Sequence, residues 1–378
     1  MSKVLVTGGA GFIGSHIVDA LILHGHEVTV FDNLEPQVHG NTNQPPSYLS
    51  QAAHFIHGDV RDRERLAHAM SGMDVVYHEA AAVGVGQSMY EIAKYTEYNS
   101  LGGAILLDIV VNEPAVRQSI KKLIVASSMS IYGEGLYECP QHGKVAPSLR
   151  PPEQLEQSIW ELLCPSCGQQ MIPIGTPESK SLEPTSIYAV TKRDHEEMFL
   201  AVGRSYGIPT VALRYFNVYG PRQALSNPYT GVAAIFSGRL LNGNPPVVYE
   251  DGEQSRDFVH VTDIAQANLL AMEQAGADYE VVNVGTGRSL SILNVAQLLI
   301  ERLQPQSNIQ PVIEKKFRRG DIRHCFADIS KIKRLLGYHP KVEFENGLEE
   351  LVSWVRQQTA IDRFDQAKYE LERRGLTG

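Results

Sequence analysis

Tyr188 and Lys192 stand four residues apart in a stretch, 188–206, whose periodicity predicts a helix, so both fall on one face. Such a pair has a chemical use. An ammonium, helped by a positively charged nicotinamide, lowers a phenol towards neutrality, and the tyrosinate then takes a proton from a hydroxyl while hydride leaves the adjacent carbon. A Tyr-x-x-x-Lys pair alone is usually structural, so the chemistry requires a place for a hydride acceptor. The segment Thr7-Gly8-Gly9-Ala10-Gly11-Phe12-Ile13-Gly14 offers one: it follows an apolar strand, opens a helix and places Gly9, Gly11 and Gly14 at the G-x-G-x-x-G spacing. Glycines allow the tight turn and the close approach of a pyrophosphate, whose charge is met by free N–H groups and the positive helix end. Asp32 closes the second strand, where a carboxylate accepts hydrogen bonds from both adenosine ribose hydroxyls and repels a 2′-phosphate; NAD is expected over NADP. Asp59 and Val60, after the third strand, are read either as an adenine contact or as a turn and helix cap.

A second constellation is metal-like. Cys139-Pro140-Gln141-His142 and Cys164-Pro165-Ser166-Cys167 form a C-x₂-H…C-x₂-C arrangement, a tetrahedral Cys₃His set suited to structural zinc. Four protein ligands leave no open position, so the metal would supply folding energy to a segment poor in apolar residues. Free thiols or a Cys164–Cys167 disulfide are the alternatives. Cys325 lies outside the pattern and reads as a buried residue.

The elements that must position these groups alternate. Apolar runs at 3–7, 27–31, 54–57, 75–78, 122–127 and 210–214 read as buried strands, and 12–24, 63–70, 97–112 and 188–206 as helices between them. This is an α/β pattern: a Rossmann-type doubly wound parallel sheet, with a smaller C-terminal substrate lobe and an inserted zinc-ribbon-like segment. The dinucleotide-binding domain is expected over 1–133 and again over 184–216, the Cys-rich insertion over 134–183, and mainly substrate-binding lobe over 217–378, where Gly/Pro turns become frequent. A formal charge of −9 argues against general nucleic-acid binding, although a phosphorylated small ligand needs only a few arginines. No apolar run approaches the ~20 residues of a membrane span and no signal peptide is evident, so a cytoplasmic location without membrane partners is expected.

With Gly58-Asp59-Val60-Arg61-Asp62, His78-Glu79-Ala80-Ala81, Ser127–Gly133, Tyr188–Lys192, Arg214–Gly220, Arg256–His260 and Arg318-Arg319-Gly320-Asp321 in this order, the chain resembles the extended short-chain dehydrogenase/reductase family, in particular its nucleotide-sugar epimerases and dehydratases. The resemblance implies a Ser128/Tyr188/Lys192 catalytic set: Ser128 bonded to the reacting hydroxyl, Tyr188 the acid/base, Lys192 on the nicotinamide ribose. It implies cofactor contacts at Gly8, Gly11, Phe12, Ile13, Gly14, Asp32, Asn33, Asp59, Val60, Ala80, Ala81, Asn99 and Tyr215. Asn217, Arg222, Arg256 and Arg318 are expected on the substrate, the arginines because a planar guanidinium matches phosphate oxygens. Gln87, Ser88, Thr185, Ser186, Val218 and Tyr219 are candidate sugar contacts, and a homodimer through the Asn99-region and Tyr188-region helices is implied.

The reaction is read from the residues after Ser128. Family dehydratases place an Asp-Glu pair there to eliminate water; this chain has Met129 and Ser130. Oxidation to a 4-keto sugar and return of hydride to the opposite face needs no such pair, so 4-epimerisation of a nucleotide-diphosphate-sugar is expected. The insertion resembles that of the dTDP-L-rhamnose 4-epimerases, which makes dTDP-L-rhamnose/dTDP-6-deoxy-L-talose interconversion the specific expectation. UDP-hexose or UDP-uronate 4-epimerisation, dehydration, decarboxylation and, from another class, a non-catalytic NAD-binding sensor are the alternatives.

Overall fold

The computed structural model describes residues 1–378. Strands β1 (Lys3–Thr7), β2 (Glu27–Asp32), β3 (His54–His57), β4 (Val75–His78) and β5 (Lys122–Ser128) come first, with helices Phe12–Leu23, Arg63–Met70 and Gly102–Asn112 among their connections. A small antiparallel sheet follows, β6 (Leu136–Cys139), β7 (Gly143–Val145) and β8 (Ile172–Ile174), with β6 central. The chain then runs through helix Ile187–Tyr206 into β9 (Thr210–Tyr215). Four short strands come next, β10 (Asn217–Tyr219), β11 (Val247–Tyr249), β12 (Ser255–Arg256) and β13 (Phe258–His260). Helix Val261–Glu273 and β14 (Val281–Val284) follow, then β15 (Leu290–Ser291), β16 (Val312–Glu314) and β17 (His324–Cys325).

The main sheet is parallel throughout in the order β14-β9-β5-β4-β1-β2-β3. Its strands are apolar without alternation because both faces are covered. Val4, Val6, Val30, Ile124 and Ala126 pack with Ile17, Leu21 and Ile264 on one side, while Leu5, Phe31, Val76 and Leu123 pack with Leu66, Leu106 and Phe199 on the other. Successive side chains point to opposite faces, so one run feeds two cores. Strand order reverses between β1 and β4, and a crevice at the carboxyl ends of strands is where such sheets take ligands. The C-terminal lobe has its own core, built on Tyr219, Phe236, Val248, Val295, Phe344 and Leu348. The insertion's core is small: Tyr137, Cys139, Leu162, Cys164 and Met171.

Two elements differ from expectation. The helix expected over 97–112 begins instead as a π-helical turn, Thr96–Leu101, before Gly102–Asn112. In this widened turn the Asn99 carbonyl accepts from His195 Nε2 at 2.8 Å, a side-chain partner that spacing cannot reveal. Within the region expected to be mainly substrate lobe, residues 261–284 return to the main sheet: β14 pairs with β9, and helix Val261–Glu273 packs on helix Phe12–Leu23. No helix is long and apolar enough to cross a membrane.

Candidate active site

A cleft of about 620 Å³ opens at the carboxyl ends of β1, β2, β4, β5 and β9, bounded across from them by the C-terminal lobe. Gly8 (φ +70°) and Gly14 make its first wall. A Cβ on Gly8 would come within 2.7 Å of Ala80 N, and one on Gly14 within 2.3 Å of Gly8 O, so neither position tolerates a side chain. Gly11 precedes helix Phe12–Leu23 with no side-chain cap and no acid in the first turn, leaving the helix-end N–H groups facing the cleft. This cradle fits a dinucleotide pyrophosphate. Gly9 is different: it is buried against Val30, where a Cβ would meet both methyls at 3.0 Å, and serves the packing of turn on sheet.

Asp32 ends β2 at the cleft, its carboxylate accepting from Ala10 N at 3.0 Å and Leu34 N at 2.8 Å. Burial raises its pKa, opposed by those two backbone bonds among others. Asn33 Nδ2 donates to Asp59 at 3.1 Å, and Asp59 is chelated by Arg61 at 2.8 Å. Burial alone would raise Asp59, but the Arg61 guanidinium and backbone and the Asn33 amide outweigh it and hold it at about 2. Phe12, Ile13, Val60, Ala80 and Ala81 line the same end of the cleft.

Ser128 ends β5 and accepts from Ser130 N at 3.2 Å and Ser130 Oγ at 3.0 Å, both also on the cleft wall. Ser186 caps helix Ile187–Tyr206 by accepting from Ala189 N at 3.1 Å, which fixes where the helix begins and so where Tyr188 and Lys192 stand. Both face the cleft. Lys192 Nζ donates to Ala126 O at 2.9 Å, and burial lowers it to about 8 against the attraction of Glu79. The Tyr188 phenol is raised: burial dominates, the Ser128 hydroxyl opposes it, and the Glu79 carboxylate adds to it. Asn99 sits behind this pair, fully buried, bracketing Ala82 N (2.8 Å) and O (3.1 Å) and donating to Thr191 Oγ1 at 2.9 Å. It does not line the cleft; it holds the loop after β4 to the Tyr188 helix.

Glu79 follows β4 directly, and its place in the His78–Ala81 motif carries no role by itself. It lies on the cleft floor, where burial raises it to about 7 against the pull of Lys192 and the Tyr215 hydroxyl. Tyr215 Oη donates to it at 3.0 Å. The available signal was an acidic residue at the end of a buried strand, in the place where the cofactor turn packs.

On the substrate side, Arg256 and Arg318 both line the cleft. Arg256 donates to the carbonyls of Ser255 (2.8 Å), Arg323 (2.9 Å) and Ile322 (2.7 Å), and Arg318 lies over the Tyr249 ring at 5.0 Å with Asp321 at 2.8 Å. Asn217 lines it too, with a buried Oδ1 that no protein group satisfies; Gln223 Oε1 is in the same position, and nothing in its sequence context marked it. Gln87 reaches the cleft, but its amide is engaged by Gln37, Glu91 and Tyr95. Thr185, Ser186 and Val218 also line the wall.

Three expected substrate contacts are turned away. Ser88 is fully buried, its hydroxyl donating to Val85 O at 2.7 Å within a short helical turn. Arg222, in the left-handed region at φ 71°, pairs with Asp19 at 2.7 Å and stacks on Tyr48, behind the cofactor turn. Tyr219 is in the lobe core against Phe344, with centroids 4.8 Å apart.

Outside the cleft, Cys139, His142, Cys164 and Cys167 offer ligand atoms all within 4.8 Å of one another, and the three cysteines of this set, like Cys325, are unbridged. Cys139 Sγ lies 3.5 Å from His142 Nδ1 and 3.6 Å from Cys167 Sγ, and Cys164 Sγ lies 3.4 Å from His142 Nδ1. A tetrahedral zinc with Zn–S of ~2.3 Å spaces its ligands about 3.8 Å apart, so the residues fit that ion. Cys325 is buried elsewhere, 3.7 Å from Thr176 Oγ1.

Residues 4–153 and 165–285 match the model of the NAD dependent epimerase/dehydratase family, with the break falling inside the insertion. The chain is 33% identical over 363 residues to a dTDP-L-rhamnose 4-epimerase of Burkholderia thailandensis, covering 96% of each. Among solved structures it resembles the UDP-glucose 4-epimerase of Thermotoga maritima with UDP-glucose (34% identity, TM-score 0.75, 94% of this chain and 99% of that one). It also resembles the UDP-glucose 4-epimerase of Thermus thermophilus in complex with NAD (31% identity, TM-score 0.72, 94% and 99%). A glycine cradle at the switch point of a parallel sheet, a Ser/Tyr/Lys-lined cleft and these matches agree, and the chain belongs to the NAD-dependent epimerase/dehydratase family.

Proposed function

We propose that this chain is a NAD-dependent nucleotide-sugar 4-epimerase that works through a transient 4-keto sugar, with dTDP-L-rhamnose and dTDP-6-deoxy-L-talose as its substrate pair. The observation that carries the reading is the wall around Ser128: Met129 and Ser130, both on the cleft, stand where an acid pair would serve elimination, and Ser130 is bonded to Ser128. The substrate pair is supported by the B. thailandensis relative, which is matched along nearly its whole length.

Bound NAD supplies the acceptor and later the donor of hydride. Gly8, Gly11 and Gly14 would hold its pyrophosphate and Asp32 its adenosine ribose, since all four line the cleft and Gly8 and Gly14 have no room for a side chain. The chain's own groups do the proton work. Tyr188 takes the proton of the sugar 4-hydroxyl as hydride leaves C4, and gives it back as hydride returns to the other face of the ketone; Ser128 orients the oxygen. Lys192 would orient the nicotinamide ribose and keep a positive charge near the phenol. Asn217, Arg256 and Arg318 hold the diphosphate, and because Arg256 is fixed by three carbonyls its charge is pre-positioned.

Zinc in the Cys139/His142/Cys164/Cys167 set is part of the same proposal, as a structural ion. So is a homodimer, supported by Leu101 and Val190, exposed apolar residues at 47% and 40% on the two helical segments concerned.

The test is NMR of purified protein with dTDP-L-rhamnose, UDP-glucose and UDP-glucuronate. Inversion at C4 without consumption of added NAD, lost in Tyr188→Phe, is expected. A stable 4-keto-6-deoxy product, released carbon dioxide, or full activity of Tyr188→Phe overturns the reading.

A further inference from the structure

The outer wall of the cleft comes from residues outside every motif described above. Helix Phe364–Arg373 lies across the cleft mouth, and Phe364, Ala367, Lys368, Leu371 and the following Leu376 line the cavity. Ala367 and Leu371 are buried there, in a helix otherwise rich in charge.

Its anchors belong to the substrate lobe. Lys368 Nζ bonds both carboxylate oxygens of Glu314 at 2.5 and 2.7 Å. Asn244 Nδ2 donates to Asp362 at 2.8 Å. The backbones of Phe317 and Gly378 pair both ways at 3.1 and 2.9 Å, and Arg319 N donates to Leu376 O at 2.9 Å. These backbone bonds flank Arg318, so the segment and that arginine form one body. Toward the other side of the cleft, Leu371 lies against Gly86, where even a Cβ would approach it to 3.3 Å, and the Arg374 guanidinium stacks 4.2 Å over the Tyr90 ring.

We propose that residues 361–378 are a substrate-positioning strap, walling in the nucleoside diphosphate part of a nucleotide-sugar opposite the dinucleotide cradle and latched to the 84–90 loop by Leu371 and Arg374. The chemistry fits that occupant. Apolar side chains give a nucleoside a dry wall, and Arg318, tied to the strap on both sides, meets the phosphates. A strap clamped to one lobe and leaning on the other also sets the width of the cleft, and so helps to exclude water and misplaced ligands. The inference rests on the nucleotide-sugar reading above.

The test uses the full chain, with UDP and dTDP as probes. In Leu371→Ala/Arg374→Ala, titration calorimetry is expected to show both nucleotides bound about tenfold or more weakly, with NAD affinity unchanged within about twofold. Hydrogen exchange in the unmutated protein is expected to slow over 361–378 and 84–90 when UDP or dTDP is added, a readout that does not depend on the variant folding. Unchanged nucleotide affinity in a variant that still binds NAD, or unchanged exchange in the strap under saturating nucleotide, overturns the strap while leaving the epimerase reading intact. If the unmutated protein binds neither UDP nor dTDP, the nucleotide-sugar reading falls and takes the strap with it.

Discussion

The insertion is joined to the substrate lobe by a buried charge cluster, and Arg323→Met should break it. Arg323 is fully buried, and its guanidinium donates to Glu161 at 3.0 and 2.6 Å, Glu250 at 3.0 Å, and Asp251 at 2.7 and 2.9 Å. Arg150 chelates Glu250 at 2.9 Å through both terminal nitrogens, and Glu134 accepts from Arg323 N at 2.7 Å. Methionine fills a similar volume but strands these carboxylates, and breaking a buried pair in this way costs ~3–5 kcal/mol. Glu161 gives the sign of the pH dependence. Burial would raise it, but His324 and Arg323 outweigh that and hold it at about 2, against an ordinary 4.5. At ~1.4 kcal/mol per unit this corresponds to about 3 kcal/mol for His324 and Arg323 together, net of burial, of which Arg323 supplies only a part. A carboxyl held below its unfolded value contributes stability that is fully present above pH 4.5 and lost as pH falls through 2. In Arg323→Met the deficit should therefore be full at pH 7.5 and shrink towards pH 3.5, inside the window in which the Glu161 carboxyl of the unmutated protein would otherwise hold its charge. Trp160 reports the event: it precedes Glu161, and its carbonyl accepts from Arg150 at 2.9 Å. Urea titration followed by tryptophan fluorescence at both pH values measures the difference. Because the Arg323 and Ile322 carbonyls hold Arg256, KM for the nucleotide-sugar should rise with kcat largely kept. A deficit under about 1 kcal/mol at pH 7.5, or one equal at the two pH values, refutes the reasoning.

Three further outcomes are expected. Metal analysis of protein purified without chelator should return about one zinc per chain, with Cys164→Ser retaining little and becoming sensitive to proteolysis between β6 and β8; no zinc with freely titratable thiols refutes the site. Glu79→Gln removes a charge that raises both Tyr188 and Lys192, so both limbs of the pH–rate profile should move to lower pH. Since the Glu79 carboxyl is raised to about 7, its contribution to stability is full below its unfolded value and lost as pH rises through 7, so the variant should melt higher than the unmutated protein above pH 8; a melting difference independent of pH refutes this. Asp32→Ala should weaken NAD about ten- to a hundred-fold, the worth of charge-assisted hydrogen bonds, and narrow its preference over NADP; an unchanged NAD/NADP ratio by calorimetry refutes the assignment.

What the sequence by itself determined lies within single elements or adjacent turns. The continuous apolar runs became the doubly covered parallel sheet, the Gly8–Gly14 turn became a cradle, and Tyr188 and Lys192 came to one helix face, because helix and strand periodicity fixes spacing of a few residues whatever surrounds it. The Cys and His pairs likewise converged, each knuckle being local. Tertiary structure alone decided the rest. Ser88, Arg222 and Tyr219 turned from the cleft because loop and short-strand side chains follow the neighbours they find, here Val85, Asp19 and Phe344. Glu79 gained its hydroxyl partner only because β9 brings Tyr215 beside it. Arg323 and Glu161, 162 residues apart, and the strap residues that wall the cleft, carry no motif. Contacts at such separation are set by how whole elements pack, and no periodicity in the chain encodes which distant side chains will meet.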